Sequence, residues 1–481
     1  MDAERSDLIP GRFDDEVNRA IFKTRIFAFD GDWRPNSMGP AVLARRLKGK
    51  ITHRGRLPDP LTVAIKTLAE WLVRLTEGAG KGNEKTALDF QSTLCDAAAY
   101  HLRPHVVRML LKTPLEPFPE NPSPIDKLAA AAAVGNLQDA QKLLAGGVEP
   151  NEESNYLGYP VQNAALNNYE DLVALLLQEP SKYLSCSATS YTKTANGCTA
   201  ALIAASSAGH DNIMEYILFS SLALTPPLLQ VSYSAAARVA AMNGHIEVLR
   251  SVLRSQALSP SSEGTAAAQD KTQAFFTACA GGYPKLVHML LSEFSVDANV
   301  TNHEGRNGLH MAARGGHARV VSLLLEKGTR YYASRMGDPV FLAAKHGYEE
   351  AVRVLLDAGA DVNADGGFSN ILSTCAGNGE TSMIRFLLSR GLVLEVEGRG
   401  DVALELAAEK GQVEVVELLV GLGVHVDGRK GRDGPMLRAL LYGQDKVVEA
   451  LRGFGAKDVD VRESEYMFGF EDGEYPLIWN P

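Results

Sequence analysis

Three histidines, His303, His310 and His317, lie seven residues apart. Imidazole nitrogens are common metal ligands, so this spacing has two interpretations: a metal site, or a set of structural hydrogen bonds. A second pair, His101 and His105, is four residues apart, but a proline stands between the two and neither a thiol nor a carboxylate accompanies them. We expect no metal site at that pair.

Residues 78–86, GAGKGNEKT, superficially resemble a phosphate-binding loop. The residue before Lys85 is Glu84 rather than the glycine of GxxxxGK[ST], and no strand pattern precedes the segment, so we expect no nucleotide site. The sequence contains neither a Gly-x-Ser-x-Gly elbow nor HExxH. We therefore predict no catalytic residue, metal or cofactor, although a pair of catalytic carboxylates needs only proximity in the folded chain.

The clearest structural signal is a pair of helical patterns in residues 306–327, RNGLHMAARGGHARVVSLLLEK. Apolar residues recur at i, i+3 and i+4 around Leu309 and again from Ala318, which predicts two helices. Gly316 lies between them, and glycine permits the positive φ of a tight turn. Such a hairpin is too small to bury its own apolar face, so it must stack on copies of itself.

Copies of this hairpin occur along most of the chain. With Gly316 as the turn marker, eight of the ten intervals between successive markers lie within two residues of 33. The markers are Leu102, Gly135, Asn168, Gly209, Gly244, Gly282, Gly316, Gly347, Gly379, Gly411 and Gly443. The two longest intervals contain residues 179–196 and 255–270, which we predict to be inserted loops, either on a binding face or slack.

A helix–turn–helix repeat of this length resembles the ankyrin repeat family. The matching residues include Leu309-His310-Met311-Ala312-Ala313 with Gly316-His317, Leu342-Ala343-Ala344 with Gly347-Tyr348, and Gly359-Ala360-Asp361-Val362-Asn363. The resemblance implies an all-α fold: an ankyrin-repeat α-solenoid of about eleven helix–turn–helix repeats with β-turn fingers and a helical N-terminal extension. It also implies that His310 and His317 tie turn backbones together by hydrogen bonds, which favours the structural interpretation of these histidines.

Three regions follow from the pattern: an N-terminal extension or cap (1–85), the ankyrin repeat array (86–459) and an acidic-aromatic tail (460–481). In the first region, residues 61–76 predict an amphipathic helix. Six basic residues within 45–56 are either a nuclear-import signal or a solvated loop. The tail is interpreted as disordered, as a cap, or as a peptide that docks in a basic groove.

Composition limits the class of protein. The net charge of −10 and the pI near 5.6 argue against direct nucleic-acid binding. The first 17 residues lack an apolar core, and no apolar run approaches a membrane span, so we expect neither a secretory signal nor a membrane protein. The five scattered cysteines predict a reducing compartment, the cytoplasm or alternatively the nucleus, with Cys279 and Cys375 as small buried residues in alanine positions.

In ankyrin proteins the concave face binds partners, through the finger tips and the last exposed positions of each first helix. We assign these positions to each repeat of this sequence. The assignment gives a stripe of partner-binding candidates on an otherwise acidic molecule. The candidates are Arg306, Arg314, Arg335, Lys345, His346, Arg399, Lys410, Arg432 and Tyr442. Arginine forks suit carboxylates and phosphates, so the stripe predicts an acidic ligand, with the protein's own tail as one candidate. The alternative is an ordinary mixed surface.

Two functions remain at this stage. The resemblance implies a monomeric, non-enzymatic scaffold or adaptor that binds another protein. The alternative is an enzyme that uses a pocket between the N-terminal segment and the repeat groove, with His303, His346 and Glu409 as acid–base candidates. The sequence does not name the partner.

Overall fold

The computed structural model describes residues 60–78, 87–101, 122–154, 156–177, 188–220, 226–258, 264–332, 338–363, 370–394, 398–428 and 434–459. The regular elements within these ranges are all α-helices, and one isolated antiparallel bridge joins Ser154 and Gly158. None of the described helices is both long enough and apolar enough to cross a membrane. The basic residues of 45–56, the tail and marker Leu102 lie outside the described residues.

The chain divides into two compact units, Met1–Ala274 and Phe275–Pro481. The helices are α1 Pro60–Gly78, α2 Ala87–His101, α3 Pro124–Val134, α4 Leu137–Ala145, α5 Pro160–Leu166, α6 Glu170–Leu177, α7 Ala188–Ala208, α8 Asp211–Ser220, α9 Pro226–Asn243, α10 Ile246–Leu258, α11 Gly264–Gly281, α12 Pro284–Ser292, α13 Gly308–Arg314, α14 Ala318–Glu326, α15 Pro339–Ala344, α16 Glu349–Asp357, α17 Ile371–Asn378, α18 Thr381–Ser389, α19 Arg399–Lys410, α20 Val413–Gly421, α21 Pro435–Leu441 and α22 Asp445–Gly453. From α3 onward, the described helices alternate between a first and a second helix of a hairpin.

The hairpin α13–α14 shows why these residues fold in this way. Asn307 and His310 form a capping box, in which the Asn307 side chain accepts from the His310 backbone and the imidazole accepts from the Asn307 backbone. Ala312 and Ala313 of the first helix are fully buried, as is Leu324 of the second. Side chains as small as alanine allow close approach of the two helices.

Each described marker position adopts a positive φ, as the turn prediction requires. Nine of the ten are glycines between Gly135 and Gly443, and the tenth is Asn168 with φ 63°. Asparagine is one of the few other residues that tolerates the left-handed region. The helix–turn–helix interpretation of the spacing is therefore confirmed.

The predicted amphipathic helix of residues 61–76 is also confirmed, as α1. Its apolar residues Ile65, Leu68 and Leu72 are buried in a hydrophobic cluster with Phe90 and Leu94 of α2. Alanines of α3 belong to the same cluster. The first repeat hairpin thus has an apolar neighbour on its N-terminal side within the first unit.

The two predicted inserted loops are partly helical, so that prediction was wrong over part of each segment. Helix α7 begins at Ala188, inside 179–196, while α10 ends at Leu258 and α11 begins at Gly264, both inside 255–270. Three successive alanines at 266–268 explain the start of α11, because alanine has the highest intrinsic helix propensity. The residues that begin α7, ATSYTKTAN, contain only two alanines but no proline that would end a helix. The extra residues lengthen first helices as well as loops.

Candidate binding surface of the second unit

The turns that carry the candidate residues are fixed by a ladder of side chains between neighbouring hairpins. The residue after a turn marker reaches back to a carbonyl at the C-terminal end of the preceding first helix. For example, the Nε2 of His317 lies 2.9 Å from the carbonyl oxygen of Ala280. The equivalent pairs are His210 with Leu166, His245 with Ser207, Gln412 with Gly377 and Gln444 with Glu409. Successive turns are therefore held in register.

The structure answers the question raised by the spaced histidines. His310 is fully buried and its Nδ1 lies 2.7 Å from the side-chain oxygen of Asn307. His317 is bonded in the ladder, and His303 lies exposed in a finger. In the part of the chain that the structure describes, no group of three or more His, Cys, Asp and Glu side chains is arranged to hold a metal ion.

Five of the nine candidate residues lie exposed at the turns after first helices. Arg314 ends α13, Lys345 and His346 follow α15, Lys410 ends α19, and Tyr442 follows α21. First helices of successive hairpins pack on one another from α13 to α21, so these turns follow one another along one edge of the second unit. Arg335 and Arg432 lie outside the described residues.

Three of these groups act on one another. The pKa of the His346 imidazole is lowered, first by partial burial and then by the positive charges of Lys345 and Arg314. The His346 ring also lies 5.8 Å from the ring of Tyr348. We call Arg314, Lys345 and His346 the cationic cluster. The charges of Lys345 and Arg314 disfavour the protonated form of His346, and a bound carboxylate would offset that repulsion.

Lys410 has a different environment, because it shares a carboxylate with a second cation. Its ammonium lies 3.1 Å from Glu409, and the Arg438 guanidinium lies 3.3 Å from the other oxygen of that carboxylate. The Glu409 side chain is only 15% exposed. An incoming anion would therefore have to compete with Glu409 for both cations, and Glu409, which the sequence offered as an acid–base candidate, is paired with Lys410 and Arg438.

Arg306 and Arg399 were placed on the exposed stripe by sequence position, whereas the structure buries both, at 8% and 7% exposure. Arg306 pairs with Glu304 at 2.9 Å inside its finger. The guanidinium of Arg399 donates to the side-chain and backbone oxygens of Asn363, at 3.2 and 2.8 Å. These side chains reach polar groups of the chain itself, so they hold fingers together.

Tyr348 belongs to the candidate surface and was missed. It is 38% exposed, lies beside His346, and its ring covers Gly316 so closely that a Cβ there would overlap it. The sequence signal was its position after a turn marker, where the family usually has histidine. The sequence analysis interpreted the position after the turn marker only as one that forms structural hydrogen bonds.

Comparisons with known proteins match this architecture. The family model described as ankyrin repeats, in three copies, matches residues 128–225 and 275–366. These two segments are ankyrin repeats. The second matched segment contains the whole cationic cluster and its ladder residues. Helix–turn–helix hairpins, marker turns and the hydrogen bonds of His310 and His317 agree with the expectations that the family resemblance gave.

Two individual proteins are similar to parts of this chain. The Caenorhabditis elegans ankyrin repeat and KH domain-containing protein mask-1 is 33% identical over 135 residues, which cover 26% of this chain and 5% of that protein. The chain thus spans about a twentieth of that relative's length. The human ASB11 ankyrin repeat domain is 25% identical, with a TM-score of 0.35 over 38% of this chain and 84% of that domain.

Proposed function

We propose that the second unit is an adaptor surface on which the cationic cluster receives an acidic segment of another protein. Ankyrin repeats are in general protein–protein interaction modules. The observation that carries the finer proposal is the convergence of Arg314, Lys345 and His346 at adjacent exposed turns of a protein whose net charge is −10. In the ankyrin family this first-helix face is the concave, partner-binding one.

The cluster suits extended acidic chain better than a compact ligand. Its groups come from two adjacent turns, and successive packed helices lie about 8–10 Å apart. A strand of acidic peptide places side chains of one face roughly 6.5–7 Å apart, so neighbouring carboxylates can meet neighbouring turns. Tyr348 and Tyr442 add exposed aromatic rings along the same edge, and tyrosine is common in interfaces.

The test is a charge reversal with a matched control. Arg314→Glu with Lys345→Glu should weaken binding of a fluorescein-labelled octaglutamate peptide at least tenfold at 0.15 M salt, measured by anisotropy. Arg319→Glu with Arg385→Glu makes the same change in net charge at exposed positions of second helices. That control should change affinity less than twofold, because the altered charges lie away from the cluster. Equal losses in both variants, or no peptide binding by the wild type, would refute the proposal.

We also propose that the protein acts as a monomer in the cytoplasm or nucleus, without binding nucleic acid directly. Four cysteines of the described residues, Cys95, Cys198, Cys279 and Cys375, are buried and form no disulfide, which suits a reducing compartment. Burial raises the pKa of the Cys198, Cys279 and Cys375 thiols, to about 12 for Cys198 and Cys375, so these three groups stay protonated and unreactive. Their role is packing.

A further inference from the structure

Glu380 holds the ladder position of its hairpin but has no hydrogen to donate there. It directly follows the turn marker Gly379, as Gln412 and Gln444 follow theirs. A glutamine amide donates to the carbonyl that it reaches, whereas an ionised carboxylate only accepts. Within the described residues the Glu380 side chain makes no hydrogen bond or ion pair, and it does not cap α18, whose N-cap residue it is. The ladder therefore lacks a donor at this position.

The Glu380 carboxylate is placed in the same way as a ladder amide. Its Oε2 would overlap a Cβ added at Gly347, and its Cδ and Oε1 would lie 3.0 and 3.3 Å from that Cβ. Gln412 covers the next marker glycine in the same manner: its Oε1 would overlap an added Cβ, and its Cδ and Nε2 would lie 2.9 and 3.3 Å from it. The Oε1 of Glu380 therefore takes the place of the amide nitrogen of Gln412.

The amide nitrogen of that glutamine donates to the carbonyl of Gly377 at 3.3 Å, two residues before the marker that it covers. The equivalent carbonyl for Glu380 belongs to Lys345, two residues before Gly347. At this turn two oxygen acceptors therefore face one another without an N–H between them. Facing acceptors repel, and a donor placed between them satisfies both. The turn is accessible, because Lys345 and His346 are exposed in it.

We propose that the Glu380 carboxylate and the Lys345 carbonyl together bind an arginine side chain of the partner segment. This inference rests on the proposed function, because it adds a basic residue to the segment that the cationic cluster receives. The planar guanidinium offers N–H groups in a fixed fork, so one side chain can donate to both acceptors. Neighbouring turns lie about 8–10 Å apart, or about three residues of extended chain. The partner therefore carries an arginine about three residues from a carboxylate that the cluster receives.

A stability measurement tests the placement of the carboxylate without any ligand. Glu380→Gln supplies the donor that Gln412 and Gln444 already have, so it should raise the urea midpoint by about 0.3 M. Gln412→Glu removes a donor and should lower the midpoint by about 0.3 M. Glu417→Gln makes the same change of charge as Glu380→Gln at an exposed position of α20, and should shift the midpoint by less than about 0.1 M. Equal shifts in Glu380→Gln and Glu417→Gln would overturn the proposal, because Glu380 would then not stand in a donor position.

Binding is tested with two fluorescein-labelled peptides at 0.15 M salt, measured by anisotropy. One peptide is octaglutamate flanked at both ends by an arginine, with two glycines between, and the other has glutamine in place of both arginines. The wild type should bind the arginine peptide about threefold to tenfold more tightly. Glu380→Gln should lower that preference about threefold, because the amide nitrogen then fills the donor position, whereas Glu417→Gln should leave it unchanged within about 1.5-fold.

The outcomes separate the two proposals. If Glu380→Gln leaves the arginine preference unchanged while Arg314→Glu/Lys345→Glu still weakens binding of both peptides, the arginine contact is overturned and the binding site stands. If binding of both peptides is insensitive to Arg314→Glu/Lys345→Glu, the proposed function is overturned, and the arginine contact falls with it. An equal loss of preference in Glu380→Gln and Glu417→Gln would show a response to net charge alone and would also contradict the contact.

Discussion

At the scale of single residues, the turn glycines meet two separate requirements. Gly282 and Gly328 both have a positive φ, 73° and 80°, which costs any other residue roughly 1–2 kcal/mol. Only Gly282 has a side chain against it: an added Cβ would overlap the ring of His317, whereas nothing lies within 4 Å of one at Gly328. Substitutions at the two positions therefore separate the energetic cost of backbone strain from the cost of disturbing the His317 side chain in the ladder.

We expect Gly282→Ala to destabilise the protein by about 1 kcal/mol more than Gly328→Ala, because the displaced His317 loses its hydrogen bond to Ala280. Equilibrium urea unfolding followed by circular dichroism measures both. In a His317→Ala background the extra cost should disappear, since the overlapping ring is gone. Equal costs for the two glycine substitutions in the wild type would show that the ladder does not constrain this turn.

The sequence was sufficient for the marker glycines and for His317, because their roles follow from a position within one repeat. It was insufficient for Arg399. Its slot predicted an exposed side chain, but the guanidinium finds two oxygens of Asn363, 36 residues earlier. Whether a long side chain is exposed to solvent or hydrogen-bonds to a carbonyl depends on the residues of the neighbouring repeat. The local sequence pattern does not contain those residues.

At the scale of structural elements, the fingers have a ladder of their own. The Asn299 side chain accepts from the backbone N–H of Arg330, Asn363 from that of Val393, and Asp427 from that of Lys457. The acceptor distances are 2.8, 3.0 and 2.9 Å. Each finger therefore depends on the one before it, and Arg399 strengthens one of these joints.

Arg399→Lys should lower the free energy of unfolding by about 1–2 kcal/mol, because an ammonium cannot reproduce the planar fork that reaches both oxygens of Asn363. The control is Arg385→Lys, an exposed exchange that should stay within about 0.5 kcal/mol. Urea unfolding measures stability, and peptide anisotropy measures binding. A loss of peptide affinity without any loss of stability would instead place Arg399 in the binding surface.

Element boundaries were the weaker part of the sequence analysis. The period located the hairpins from Gly135 to Gly443, yet it assigned the start of α7 and of α11 to loops. A repeat period records where equivalent residues lie and says nothing about the residues added between them. The added residues follow local propensity, and the three successive alanines at 266–268 favour helix at the start of α11.

At the scale of the whole molecule, local attraction and long-range repulsion act on the same acidic ligand. The protein carries a net charge of −10. For octaglutamate, with a charge of about −8, on the order of 25 Å from the centre of charge, screened repulsion is roughly 6 kcal/mol at 0.01 M salt but about 0.6 kcal/mol at 0.15 M. Two charge contacts at about 5 Å, with Arg314 and Lys345, lose together only about 0.5 kcal/mol over the same range.

Between 0.01 and 0.15 M salt, the repulsion energy therefore changes more than the attraction energy. Above 0.15 M the attraction energy changes more, because little repulsion is left to be screened. Octaglutamate affinity should rise as salt increases from 0.01 to about 0.15 M, then fall towards 1 M, where the Debye length is about 3 Å and the cluster contacts are screened as well. The affinity of the Arg314→Glu/Lys345→Glu variant should not fall between about 0.15 and 1 M salt, because this variant lacks the attraction and only the repulsion remains to be screened. A steady decrease of wild-type affinity across the whole range would mean that the ligand responds to the cluster alone, and that the charge of the rest of the molecule does not reach it.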